Sequence, residues 1–139
     1  MRRARDERGS LALEMALLAP FLLLIIALIY AYGRVGQVNG TLDSGTRDAA
    51  RSATMARDST DAKHAAERVV REALADAPAG CRSSLQVHLV GDFLPGEPVT
   101  VDASCTYDIS DLGLPGAPGS LTAKSSFTSM LDPYRGIDQ

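Results

Sequence analysis

Glu14 is the only formally charged side chain between Arg8 and Arg34, and it stands at the mouth of a long apolar run. A carboxylate inside a membrane segment costs roughly 2 to 3 kcal/mol near the centre and less near the interface. Glu14 therefore needs either a cation close by or a path to the headgroups by snorkelling. The other residue types that could do chemistry are few. Cys81 and Cys105 are the only cysteines, and His64 and His88 the only histidines. Neither His has the spacing to Cys or carboxylates that a metal site needs, so no metal is expected. No G-x-S-x-G elbow, phosphate-binding Gly loop or paired-carboxylate constellation is visible, and the sequence makes no case for catalysis or for a cofactor.

The element that must hold Glu14 is an anchor. Met15 to Tyr32, MALLAPFLLLIIALIYAY, is eighteen residues without a charge, about 27 Å of helix at ~1.5 Å per residue. Ser10 to Leu13 extend it. A core helix of a soluble domain would show a polar face at helical period, and this run has none. A cleaved secretory signal is the alternative, but Ile29-Tyr30-Ala31-Tyr32 puts bulky groups where signal peptidase requires small ones. Arg2, Arg3, Arg5 and Arg8 precede the run and only Arg34 closely follows it. The positive-inside bias then keeps the N-terminus cytoplasmic and puts residues after about 33 outside. The expected organisation is a basic leader over 1–9, a transmembrane helix over 10–32 and an extracytoplasmic domain over 33–139.

The stretch Arg8-Gly9-Ser10-Leu11-Ala12-Leu13-Glu14 places a Gly after a basic leader and a Glu five residues beyond it. This resembles the type IV prepilin processing site, where a membrane-embedded prepilin peptidase cuts after the Gly and leaves the apolar helix on the mature protein. By that resemblance the cut falls between Gly9 and Ser10. It would create an α-ammonium on Ser10, one helical turn from Glu14, and the pairing would offset the cost of a charge in lipid. Gly9 has no side chain, which suits close approach by a protease.

The wider stretch RGSLALEMALLAPFLLLIIALIYAYGR is similar to the TadE family of pseudopilins, with its Glu, apolar triplet, Pro and Leu-rich run. Met15 stands where many members have Phe. The resemblance implies a part in the tight adherence (Tad) pilus machinery. It implies as partners other pilins or pseudopilins, the prepilin peptidase, the pilus assembly platform and the lipid bilayer. Pro20 removes the hydrogen bond to the Ala16 carbonyl, so a kink is expected there.

Beyond Tyr32, Val35, Val38, Leu42, Ala49, Ala53 and Ala56 follow a broken helical spacing in which Gly33, Gly36, Gly40 and Gly45 are weak points, so the anchor helix is expected to continue imperfectly. Ser59, a candidate cap, opens an amphipathic helix with Ala62, Ala65, Ala66, Val69, Val70, Ala73 and Leu74 on one stripe, ending before Pro78. After Cys81 the period changes to two. Leu85, Val87 and Leu89 form one strand, Val99, Val101, Ala103, Cys105 and Tyr107 a second, and Leu121 to Met130 a third. The predicted fold is α+β: a transmembrane helix continuing outside, then an amphipathic helix packed on a three-stranded antiparallel sheet. Cys81 and Cys105 fall on the oxidising side of this topology and are expected to form a disulfide, with two buried free thiols as the alternative.

Charge excludes one class of partner. Residues 1–9 carry four Arg against Asp6 and Glu7, net +2, while residues 33–139 carry ten basic and fourteen acidic side chains, net -4. Such a balance offers no phosphate-binding surface, and no nucleic-acid partner is expected. The leading expectation is a non-enzymatic minor pilin or pseudopilin in the cytoplasmic membrane, cut after Gly9. The rival is a permanently anchored bitopic accessory or ligand-binding protein of the cell envelope.

Overall fold

The computed structural model describes residues 3–134, with side chains from Leu11 onward. A single helix, α1, runs Arg3–Ala53, and the chain divides into two compact units after Arg34. In the first unit the large apolar side chains of α1 among the described residues are exposed. Leu22, Leu23 and Ile29 are each more than 60% exposed, an arrangement that costs a soluble protein stability at every such side chain. The helix continues through Pro20 without ending, because the proline removes one backbone hydrogen bond and leaves those of its neighbours.

The second unit, from Val35, is α+β. Here the expected weakness of the glycines is corrected, since α1 is unbroken as far as Ala53. Each Gly costs about 1 kcal/mol of helix stability relative to Ala. Against that cost, Val38, Leu42, Thr46, Ala49, Ala50 and Ala53 are fully or almost fully buried on one face, and tertiary packing of such a stripe outweighs propensity. Thr46 satisfies its buried hydroxyl by donating to the Leu42 carbonyl at 2.7 Å.

After a turn comes α2, Ser59–Ala73, which buries Ala62, Ala66 and Val70 as its stripe foretold. Its cap is Asp58 rather than Ser59. The Asp58 Oδ1 accepts from the Thr60 and Asp61 amides at 2.8 Å each, and a carboxylate also complements the helix N-terminus. The helix stops at Ala73, short of the expected end, and the Leu74 side chain caps the core with no exposure. A short helix that the sequence did not announce, α3, comes next over Ala79–Ser84 and carries Cys81.

Three strands complete the unit: β1 Gln86–Val90, β2 Pro98–Asp108 and β3 Ser120–Met130, in the order β1-β2-β3 and antiparallel throughout. Val87 pairs with Ala103, and Ala103 with Ser125. The alternation seen in the sequence is the burial pattern of β2, where Val99, Val101, Ala103, Cys105 and Tyr107 all face the core. A 3-10 turn at Ile109–Leu112 buries Leu112 in the loop between β2 and β3. Helices cover one face of the sheet, and the other, bearing His88, Asp102, Lys124 and Ser126, stays open.

Candidate functional site

Glu14 lies on the exposed surface of α1, one turn along the helix from Ser10. A helical backbone places residues four apart about 6 Å along the axis on a shared face. A cation at the Ser10 amide nitrogen would be within reach of the Glu14 carboxylate. The Ser10 side chain lies outside the described residues. Among the described residues α1 is the one helix long and apolar enough to cross a membrane, from Leu11 to Ala53, and none of its most apolar window is buried. A core helix of a soluble domain would bury that window. The uncovered apolar window is consistent with a single membrane span.

Cys81 and Cys105 form a disulfide with a Cα–Cα distance of 4.7 Å, closing a chain separation of 24 residues. Both residues are almost completely buried. The bridge fastens α3 to β2 and is joined by a polar clip. Ser84 Oγ accepts from the Thr106 amide at 2.8 Å, and its proton faces the Gly80 and Thr106 carbonyls, each 2.7 Å away. β1 pairs with β2 only as far as Ser104, so Ser84 serves the next backbone groups of β2 as another strand would. Gly80 lets this happen. A Cβ built there would stand 2.9 Å from the Asp111 Oδ2 and 3.0 Å from the Tyr107 Cα, and its amide donates to the same Asp111 oxygen at 3.3 Å.

The open face of the sheet brings together residues that lie far apart in the chain. His88 is opposite Asp102, and Asp102 is opposite Ser126. A shallow depression there is lined by these residues with Ser104 and Lys124. The row contains the three residue types of a nucleophilic triad in the wrong order. A triad needs the His between Ser and acid, whereas here the acid is central. His88 and Ser126 are then two strand spacings apart, about 9.6 Å, too far for proton transfer. Reading this row requires the strand register, which the sequence pattern alone does not supply. His64 sits on α2 beside Asp61 and Arg68 in a second open depression. Among the described residues no group of three or more His, Cys, Asp or Glu could hold a metal ion. Burial raises the Tyr107 phenol above its ordinary pKa, as desolvation of its ionised form requires.

Comparison with known proteins identifies one segment. The family model described as TadE-like protein matches residues 9–51, from Gly9 almost to the end of α1. No curated protein and no solved structure matches the chain.

Proposed function

We propose, from the premise that the chain is TadE-like over residues 9–51, that it is a minor pilin or pseudopilin acting in assembly or initiation of a Tad-type pilus. A TadE-like segment implies a pilin-like protein associated with the Tad pilus. The finer reading assigns residues 1–9 to a cytoplasmic leader, 10–32 to the membrane helix and 33–139 to the outer domain. It gives the chain an N-terminus inside the cytoplasmic membrane and a role as substrate of a prepilin peptidase that cuts after Gly9. The partners are other pilins or pseudopilins and the assembly platform, met by the apolar helix in the membrane.

The observation that carries this reading is the family match over α1, which begins at Gly9 and takes in an apolar surface with no protein cover. The basic leader, the Gly9-Ser10 bond and Glu14 stand in the order that such processing needs. The role is non-enzymatic: this chain is processed and then packs.

Intact-mass measurement on protein purified from native membranes tests the proposal. A mature chain beginning at Ser10 is expected. Met1 or Arg2 at the N-terminus, in cells whose prepilin peptidase is active on its other substrates, would overturn it in favour of a permanent anchor.

A further inference from the structure

The large apolar side chains that the second unit leaves in water gather at one of its ends. Beyond Tyr32, the strongly exposed ones among the described residues are Met55, Val90, Leu94, Met130 and Tyr134. Two contacts fix the direction of the elements. Ser125 Oγ donates to Asp43 at 2.7 Å, and the Arg47 guanidinium lies 5.2 Å from the centre of the Phe127 ring. Within this unit α1 and β3 therefore run the same way, and Met130 lies at the end where α1 finishes at Ala53. Met55 marks that end on the helical layer.

The sheet layer makes a continuous surface there. Val90 ends β1 opposite Thr100, and Pro98 opens β2 opposite Met130. The Leu131 amide donates to the Glu97 carbonyl at 3.0 Å. A Cβ built on Gly96 would stand 3.6 Å from the Pro133 Cβ. The loop between β1 and β2, with Leu94, is thereby held against the segment that ends in Tyr134. Strand alternation turns Val90, Pro98 and Met130 to the open face, away from the buried Val87, Val99 and Ala123. The Thr and Ser rows of that face thus give way to an apolar end.

On the sheet layer its described rim is acidic: Asp92, Glu97 and Asp132 are exposed around it, and residues 91–101 and 126–134 contain no Lys or Arg, while exposed Arg57 lies two residues from Met55 on the helical layer. We propose that this end is a docking surface for a protein partner that presents an apolar protrusion ringed by Lys or Arg. Flexible Met and aromatic Tyr are the side chains that make adaptable contact area at such surfaces. The acidic rim selects among occupants. A symmetric contact with a second copy would set these carboxylates against themselves, and an anionic lipid surface would repel them. A basic rim on another protein complements them. The inference goes beyond the pilus reading, because it requires neither cleavage after Gly9 nor entry into a fibre.

Site-specific photocrosslinking in native cells tests it, with p-benzoylphenylalanine placed in the full chain at Leu94 or Met130 and, as control, at Lys63 on α2. The expected result is one discrete protein adduct from both tip positions and none from Lys63. Its linked peptide should carry Lys or Arg beside an apolar residue. Adding Asp92→Lys and Glu97→Lys should reduce that adduct by about tenfold or more while Cys81 and Cys105 stay resistant to alkylation. Asp132 is kept because its carboxylate accepts from the Tyr134 amide at 2.9 Å. The proposal is overturned by absence of an adduct at both tip positions or by one that survives the charge reversal. It is equally overturned by a dimer of this chain, a lipid adduct, or an internal link to residues 135–139.

Discussion

Gly45 of α1 and Ala73 of α2 meet so closely that a Cβ built on Gly45 would stand 2.8 Å from the Ala73 Cβ. The glycine that weakens the helix locally is thus what allows the second helix to dock. Gly40, five residues earlier on the same helix, has nothing within 4 Å of its would-be Cβ. The two positions should respond in opposite directions. Gly45→Val should destabilise the second unit by about 1 to 3 kcal/mol through overpacking, while Gly40→Ala should stabilise it by about 0.5 to 1 kcal/mol through helix propensity. Denaturant unfolding of the detergent-solubilised protein, followed by near-ultraviolet signals of its tyrosines, measures both. Equal effects would show that the approach of α2 is looser than the geometry says.

The Cys81–Cys105 disulfide restrains an unfolded loop with a chain separation of 24 residues. The chain-entropy account gives about 3.5 kcal/mol for that length. Reduction, or Cys81→Ser with Cys105→Ser, should lower unfolding stability by an amount of that order. It should also expose the Ser84–Thr106 amides to hydrogen exchange before those of β2 opposite β3. Alkylation of the denatured but unreduced protein at both cysteines would mean that the bridge does not form in cells.

The way these features are visible in the sequence differs with their range. The core face of β2 can be read directly, because Val99, Val101, Ala103, Cys105 and Tyr107 alternate with polar residues over a full strand. The stripe of α2 is equally legible from Ala62, Ala66 and Val70. Helix α3 is not, since six residues are too few to show a period and it is held by the disulfide and by the Ser84 clip. The docking of α1 on the sheet is also hidden. It depends on Asp43 with Ser125, 82 residues apart, and on Arg47 over Phe127, contacts that no local pattern encodes. The Gly9-to-Glu14 segment is the converse case, because its meaning lies in residue order along one helix.

Tyr107 is buried at 2% exposure, and desolvation raises its phenol above the ordinary pKa. An acid whose folded pKa is raised contributes stability that is complete below the unfolded value, about 10. That stability is lost as pH rises from there through the folded value. Unfolding free energy should therefore fall above about pH 10, and Tyr107→Phe should remove that part of the decline. A Phe variant with the same alkaline slope as the parent would assign the loss to other groups.

The charge asymmetry about the apolar run predicts topology. Four Arg precede it within residues 1–9, against Arg34 just after, so a reporter fused after residue 135 should be active outside the cytoplasm. An alkaline phosphatase fusion there should be active and a green fluorescent fusion exported through the same route dark. The opposite pattern would place the sheet domain inside and make the Cys81–Cys105 disulfide an anomaly for its compartment.

Gly9 and Glu14 stand five positions apart and would have separable roles. Gly9 would serve the cut, because its missing side chain lets a protease approach the Gly9-Ser10 bond. Glu14 would serve assembly of the cut chain, because α1 sets it one turn from the nitrogen that cleavage would turn into an ammonium. Gly9→Val should accumulate the full-length precursor, with little chain beginning at Ser10. Glu14→Ala should still be inserted and largely cut, since no step of backbone hydrolysis needs its carboxylate, yet it should fail to restore pili in a strain lacking this protein. Glu14→Gln distinguishes charge from hydrogen bonding: loss of pili comparable to Glu14→Ala assigns the role to the ion pair in low dielectric. Intact mass reads the first half and a pilus assay in the deletion strain the second. A Glu14→Ala variant that accumulates uncut precursor would move the carboxylate from assembly to recognition by the peptidase.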